Sequence, residues 1–134
     1  MGGQGDPLHF AAANGYPPGA YRAFLEPFAE NHEVVASLHR PLWETPPELE
    51  SFRSWDVFGE DICQLVNALP QPVVSVGHSM GTAAILMAAI QRPELFKSLV
   101  LIEPVLVPRR FLIGLSFFRR FRPEVIPLVK RTLS

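Results

Sequence analysis

The stretch Gly77-His78-Ser79-Met80-Gly81 decides the fold, because it matches the pattern G-x-S-x-G, which places a serine on a sharp turn between a strand and a helix. Residues 72–76, just before it, are a short β-branched run that begins with proline and is typical of a buried strand. Residues 82–90, just after it, are rich in helix-forming types, and Pro93 ends that run. The sequence therefore predicts a strand, a sharp turn and a helix in that order.

The chemistry of such a turn explains its residue types. A strained backbone at Ser79 would push the hydroxyl out of the sheet, and glycines at 77 and 81 would remove Cβ atoms that collide across the bend. The N–H of Met80, at the start of the helix, would point to where negative charge develops on an oxygen in acyl chemistry. The alternative interpretation is a glycine-bounded loop in which Ser79 is an ordinary helix N-cap. The flanking strand and helix favour a serine nucleophile with half of an oxyanion hole.

The composition is that of one globular domain or part of one. The chain has 134 residues, 48% hydrophobic and 19% charged, with a formal net charge of -1. That charge balance argues against nucleic-acid binding. A single cysteine, Cys63, excludes an internal disulfide, and without clustered cysteines or histidines we predict no metal site and no cofactor. The first residues lack the basic and apolar stretches of a secretory signal, so we expect a cytoplasmic protein.

Strands and helices alternate along the rest of the chain. Each predicted strand is almost wholly apolar, which indicates an α/β fold with a parallel sheet of about four strands flanked by helices. The other predicted strands cover 8–13, 33–38 and 98–102, with a turn at Asn14-Gly15 and a loop over 39–53. Between the first two strands we predict a short amphipathic helix, shortened by Pro27, whose apolar residues are Tyr21, Phe24, Leu25 and Phe28. A second helix, capped by Ser54, carries on one face Phe58, Ile62, Leu65, Val66 and Leu69.

Together with residues 12–17, which read Ala-Ala-Asn-Gly-Tyr-Pro, these features resemble the N-terminal half of an α/β-hydrolase-fold enzyme, over roughly residues 7 to 104. In that family the loop after the first of these strands reads H-G-x or H-A-N-G-F-P and supplies the second oxyanion N–H. The resemblance implies Met80 as one donor and Ala13 or Asn14 as the other. It divides the chain into a partial hydrolase core, 1–104, and the start of a helical lid, 105–134.

The chain departs from the family pattern at two places, one in the oxyanion loop and one that bears on the substrate. Ala12 stands where the family motif has histidine. The D-x-R-G-x-G-x-S segment that commonly follows the second strand is replaced by residues 39–43, His-Arg-Pro-Leu-Trp. The substrate of any one relative therefore does not transfer directly to this chain.

A general base for Ser79 is not assigned by the sequence. The family order is serine, then acid, then a histidine after the last strand, whereas every histidine here precedes Ser79. On a sharp turn the His78 side chain should point away from the serine, and His39 lies at the correct edge of the sheet but on the wrong element. We expect His9 to lie in or beside a strand and His32 in a solvated turn.

The triad acid has one candidate, Glu103, at the carboxyl end of the last predicted strand, where some members of the fold carry that acid. The favoured alternative is a polar strand-end residue.

Four apolar parallel strands would leave both edges of the sheet unpaired. We therefore expect this chain to be a fragment, whose missing half carries further strands and the histidine. When isolated, the fragment should associate through its open sheet edges.

The leading functional hypothesis is a serine hydrolase acting on a small-molecule ester, thioester or related acyl substrate, weakly active or inactive as this chain. Same-fold alternatives are acyl transfer, carbon-carbon bond hydrolysis and cofactor-free peroxidase chemistry. A different class is a non-catalytic module that uses the basic segment 105–134 to bind a partner or an anionic membrane surface, although a lid is the favoured interpretation. That segment holds most of the twelve basic residues: Arg109, Arg110, Arg119, Arg120, Arg122, Lys130 and Arg131.

Overall fold

The computed structural model describes residues 2–48 and 54–105. In these residues four parallel strands form one sheet in the order β2-β1-β3-β4, with helices between them. This arrangement confirms the predicted α/β class. The strands are β1 (Asp6–Ala11), β2 (His32–Ser37), β3 (Val73–His78) and β4 (Phe96–Ile102); the helices are α1 (Arg22–Leu25), α2 (Asp56–Asn67) and α3 (Met80–Gln91); and short 3-10 turns cover Pro18–Tyr21, Glu26–Glu30, Arg40–Leu42 and Pro93–Leu95.

The central strand β1 contributes to a core on each face of the sheet, because successive side chains of a strand point to opposite faces. Its register places Leu8 opposite Val34 of β2 and Val74 of β3. On the α1 side the buried core contains Leu8, Phe10, Ala12, Leu25, Val34 and Val76. On the side of α2 and α3 it contains Ala11, Phe58, Ile62, Cys63, Val66, Val73, Ala84, Ile85 and Ala88.

Helix α2 packs through the stripe that its sequence predicts. Phe58, Ile62 and Val66 are buried against α3, and burying side chains of this size stabilises the fold by about 1.5–3 kcal/mol each. The predicted cap is wrong by one position, because Trp55 is the N-cap residue of α2 and makes no side-chain cap bond. Ser54 lies one residue earlier, where its hydroxyl accepts a hydrogen bond of 3.2 Å from the Asp56 N–H. The helix ends at Asn67, so Leu69 packs from the turn that follows.

The first strand and the first helix have bounds that differ from prediction. Strand β1 ends at Ala11 rather than at residue 13, because the next backbone groups bond side chains: the Ala12 carbonyl accepts from His39, and the Ala13 N–H donates to Tyr21. The predicted amphipathic helix over 21–28 is one α-helical turn, α1, between two 3-10 turns. Pro27 lies in the first turn of the second of these, consistent with its predicted shortening effect.

The outer edges of the sheet are not equivalent. Against prediction, β2 is partly covered: Gly2 and Val34 form an antiparallel bridge, with N–H to O distances of 3.3 and 3.0 Å. Strand β4 pairs with β3, and among the described residues no strand pairs with its outer edge, where Val100 and Leu101 are exposed. The predicted lid and the basic residues from 109 onward lie outside the described residues.

Candidate functional site

Ser79 sits on a strained turn between β3 and α3. Its backbone angles are φ 52° and ψ -115°, a conformation that costs a non-glycine residue of order 1–3 kcal/mol. Three hydrogen bonds hold the turn: the Ser79 N–H donates to the Ile102 carbonyl at 3.0 Å, and the Ser79 carbonyl accepts from the N–H and hydroxyl of Thr82 at 3.0 and 2.6 Å. The residue is half-buried rather than enclosed. The sharp bend predicted from the sequence is therefore present.

The two glycines of the motif are required by close packing across this bend. A Cβ on Gly81 would lie 2.6 Å from the Ala11 carbonyl carbon and 2.8 Å from the Ala12 carbonyl oxygen. A Cβ on Gly77 would lie 2.8 Å from the Thr82 nitrogen. Real Cβ atoms do not approach backbone this closely, so only glycine lets the start of α3 rest against the end of β1. That contact brings the loop after β1 beside Ser79.

One candidate oxyanion donor is the N–H of Met80. Met80 is the first residue of α3, and the N–H groups of a first helical turn have no carbonyl partner within their own helix. The positive end of the helix dipole lies at the same point. This position is suited to a developing negative charge next to the Ser79 hydroxyl.

The loop after β1 narrows the choice of the second donor. Residues 13–16 form a turn in which the Tyr16 N–H donates to the Ala13 carbonyl at 3.2 Å and Gly15 has φ 75°. The Ala13 N–H is already engaged, because it donates to the Tyr21 hydroxyl at 3.1 Å. Of the two donors named from the sequence, Asn14 is therefore the one whose N–H has no such bond in the described part of the chain.

Tyr21 and His78 add a contact that sequence reasoning missed. The Tyr21 hydroxyl lies 2.7 Å from His78 Nδ1, and the two rings meet edge to face with centroids 5.7 Å apart. On its other side, His78 Nε2 lies 3.3 Å from a carboxylate oxygen of Glu103. The sequence pattern places Tyr21 in an apolar helical stripe, and no local signal connects it with a residue 57 positions away.

The remaining histidines have partners elsewhere. His9 is completely buried in β1, with Nδ1 2.6 Å from the Ser75 hydroxyl, and burial, with a smaller effect of His39, lowers its pKa to about 3. His39 Nε2 donates to the Ala12 carbonyl at 3.0 Å, and burial lowers its pKa. His32 begins β2 and its Nδ1 lies 3.2 Å from the Asp6 carbonyl oxygen. Among the described residues, no histidine is hydrogen-bonded to the Ser79 hydroxyl.

Glu103 follows Ile102, the last residue of β4. Its side chain is 82% exposed, its φ is 48°, and its carboxylate faces His78. These features agree with a polar strand-end residue that touches the histidine of the motif. Its assignment as a triad acid stays a prediction.

The segment after β2 is tied to α2 at the same edge of the sheet. Arg40 donates two hydrogen bonds to the Asp61 carboxylate, from Nε at 2.6 Å and from Nη2 at 2.8 Å. The Trp43 ring lies 5.5 Å from the Arg40 guanidinium carbon, and its indole N–H donates to the Leu38 carbonyl at 2.8 Å. Residues 39–43, which replace the common family segment, therefore lie next to the start of the loop at 13–16, because His39 donates a hydrogen bond to the Ala12 carbonyl.

The family model described as the alpha/beta hydrolase fold matches residues 39–133, and the chain belongs to that family. Among curated proteins, it is similar to a monoglyceride lipase of Rattus norvegicus, with 38% identity over 58 residues, and to a type I acyl-CoA thioesterase of Penicillium roqueforti, with 33% identity over 76 residues. The matches cover 40% and 54% of this chain but only 19% and 18% of those relatives.

A solved structure of N-formylmaleamic acid deformylase from Pseudomonas putida S16 has the same fold. It superposes with a TM-score of 0.68 at 26% identity, covering 78% of this chain and 40% of that protein. The present chain therefore spans less than half of that structure and about a fifth of the curated relatives. Within residues 2–48 and 54–105, no helix has both the length and the apolar character needed to cross a bilayer.

Proposed function

We propose that this chain carries the nucleophile-bearing half of a serine hydrolase, with Ser79 as the nucleophile. The supporting observation is the left-handed backbone of Ser79 at the junction of β3 and α3. A helix N-cap serine would adopt ordinary extended backbone without strain. Strain of this kind persists only where the surrounding structure imposes it, as the bonds to Ile102 and Thr82 do here, and such positions cluster at active sites.

The chemistry follows from the groups around the turn. The Ser79 oxygen forms a bond to the substrate carbonyl carbon, while the carbonyl π electrons move to the oxygen and make an oxyanion. The N–H groups of Met80 and Asn14 are the donors proposed to receive that oxyanion. The electrons then return, the bond to the leaving alcohol or thiol breaks, and water releases the acyl group from Ser79. The serine proton needs a base to carry it to the leaving group.

The base is not assigned to any residue of this chain. All four histidines precede Ser79, and the described bonds of each lead to other partners. A serine without an adjacent base is a weak nucleophile. We therefore expect low activity from these 134 residues alone.

The substrate class is proposed as acyl compounds with an ester or thioester bond. The lipase and the thioesterase support this choice, because their names denote cleavage of an oxygen ester and of a thioester. Aspartate, rather than Ser79, would be expected at the turn of a halide-displacing member of the fold. Acyl transfer and the other reactions found on this fold remain alternatives to hydrolysis.

Labelling with a fluorophosphonate probe tests the nucleophile. We expect slow modification of the folded chain, confined to Ser79 when mapped by mass spectrometry, and faster than in the same chain unfolded in urea. Ser79→Ala should abolish it. Ser98→Ala is the matched control, because Ser98 is an exposed serine of β4 away from the turn. In this variant Ser79 should be labelled at the same rate as in the unmodified chain.

Two outcomes would contradict the proposal. One is labelling that persists in Ser79→Ala, and the other is a folded chain that labels no faster than the unfolded one. Fast labelling of Ser79 would keep the nucleophile but show that a base operates within this chain.

A further inference from the structure

The hydroxyl of Tyr21 bonds both of the chain segments that carry the candidate oxyanion donors. On one side it accepts the N–H of Ala13, the residue before Asn14, at 3.1 Å. On the other it lies 2.7 Å from Nδ1 of His78, the residue before Ser79. One side-chain oxygen thus joins the loop after β1 to the turn after β3.

The directions of these bonds follow from the donor and acceptor capacity of each group. The Tyr21 oxygen carries one hydrogen and receives the Ala13 N–H, so its own hydrogen is free to go to His78 Nδ1. Nδ1 is then the acceptor nitrogen of a neutral ring, and Nε2 carries the hydrogen. That hydrogen points to the Glu103 carboxylate, 3.3 Å from Nε2, which can only accept when ionised.

The opposite tautomer fits less well. With the hydrogen on Nδ1, His78 would donate to the Tyr21 oxygen and leave the Tyr21 hydrogen without this acceptor. Nε2 would then present a lone pair to the Glu103 carboxylate. A single arrangement therefore satisfies every group: Ala13 N–H donates to Tyr21, Tyr21 O–H donates to His78 Nδ1, and His78 Nε2–H donates to Glu103. We call this series of three hydrogen bonds the relay.

We propose that Tyr21 and His78 are positioning residues that hold the loop at 13–16 in register with the turn at Ser79. This inference rests on the proposed function, since it assigns a purpose to the spacing between Asn14 and Met80. An oxyanion hole acts through donors fixed before the reaction, and a displacement of about 1 Å is costly. The Gly81 to Ala11 contact sets how near the two segments lie, and the Tyr21 hydroxyl sets the orientation of the loop.

The first test is spectroscopic and uses the unmodified 134-residue chain. Long-range nitrogen-proton correlation distinguishes the two neutral imidazole tautomers. We expect His78 in the Nε2–H form at a pH where the ring is neutral. Finding the Nδ1–H form would overturn the relay, whatever the chain does to substrates.

The second test removes one atom. Tyr21→Phe keeps the ring that packs 4.7 Å from Phe10 but deletes the hydroxyl, so the Ala13 amide should exchange its hydrogen roughly tenfold faster. The matched control is Tyr16→Phe, which deletes an exposed hydroxyl on the same loop and should leave Ala13 exchange unchanged. His78→Asn places an amide oxygen near the position of Nδ1 and should restore protection that His78→Leu loses. Equal Ala13 exchange in Tyr21→Phe and the unmodified chain would contradict the inference.

The positioning role has its own readout. Fluorophosphonate labelling of Ser79 should slow in Tyr21→Phe, through the bond-forming rate rather than the probe affinity, and it should stay unchanged in Ser98→Ala, whose exposed serine lies outside the site. If Ala13 is released but labelling does not change, the relay exists without a positioning role and the inference is wrong. If Ser79 fails to label in every form, the proposed function fails, while the tautomer and exchange measurements still decide the relay.

Discussion

The carbonyl carbon of Ala11 lies 2.6 Å from the point where a Cβ on Gly81 would stand. Ala11 ends β1 and Gly81 is the second residue of α3, so their contact is where the sheet and the helix behind the turn meet. No side chain fits between them, and the obstacle is backbone that cannot rotate away. The local geometry at Ser79 thus depends on a glycine two positions later and on a strand seventy residues earlier.

Gly81→Ala should destabilise the chain by about 3 kcal/mol or more, because the new methyl group must push α3 away from β1. Urea unfolding followed by circular dichroism measures this loss. The matched control is Gly19→Ala, in a 3-10 turn where nothing lies within 4 Å of the added carbon. Equal stability of the two variants would show that α3 is not seated against β1.

Ser79→Gly should raise the free energy of unfolding by about 1 kcal/mol, because glycine adopts φ 52° without the strain that serine bears. The same change should abolish fluorophosphonate labelling. Ser79→Ala keeps a Cβ at the strained position and should leave stability nearly unchanged, which makes it the comparison for the backbone effect. A less stable Ser79→Gly would mean that the turn is not strained.

The buried His9 should make stability depend on pH. Its pKa is lowered from 6.5 to about 3 in the folded chain, with burial as the main cause, so the unfolded state binds the proton more readily. Stability is therefore fully present above pH 6.5 and falls as the pH decreases toward 3. The contribution of one such group is about 1.4 kcal/mol per pH unit well below the unfolded pKa. Burial lowers the pKa of His39 as well, which adds to the slope with the same sign.

Unfolding in urea at several pH values between 6.5 and 5 checks this slope. In the described part of the chain, His9 Nε2 is buried without a hydrogen-bond partner, so a proton placed there would have no acceptor. His9→Gln should reduce the slope of the free energy of unfolding against pH by the contribution of the His9 imidazole, even if the variant is less stable at every pH. An unchanged slope in His9→Gln would contradict the prediction.

The outer edge of β4 should cause self-association. Val100 and Leu101 are exposed there, and in residues 2–48 and 54–105 only β3 pairs with this strand. Sedimentation velocity should show species larger than a monomer that grow with concentration. Val100→Lys should reduce association, because a charge on an edge strand opposes pairing with a second strand. Ile90→Lys, which places the same charge at an exposed position of α3, should not reduce association. An equal reduction in both variants would contradict the prediction, because it would indicate an effect of charge on general solubility.

Most of the fold could be predicted from sequence because its signals are local. The apolar run before Gly77 and the helix-forming run after Gly81 each determine one element, and alternation of such elements leads to a parallel sheet. Element ends were less predictable. Strand β1 stops at Ala11 because the Ala12 carbonyl bonds His39, 27 residues later, and the Ala13 N–H bonds Tyr21, 8 residues later.

The candidate site divides in the same way. Ser79 and Met80 were predicted with the turn, since the five-residue motif, the apolar run before it and the helix-forming run after it together indicate the bend. The choice between Ala13 and Asn14 was left open by the sequence, and it depends on where the Tyr21 hydroxyl lies. The contacts from Tyr21 to His78, from Arg40 to Asp61 and from His9 to Ser75 have no local signal at all.

By itself, the sequence determined the α/β class, the bend at Ser79 and the glycines that permit it, because periodicity and backbone freedom are encoded in neighbouring residues. Only the tertiary structure decided which polar groups meet across the sheet. Such meetings depend on strand order and register: β1 lies beside β3 in the sheet, so His9 reaches Ser75, and Tyr21, in the connection after β1, reaches His78. Those relations join residues tens of positions apart, where no pattern of adjacent side chains specifies the partner.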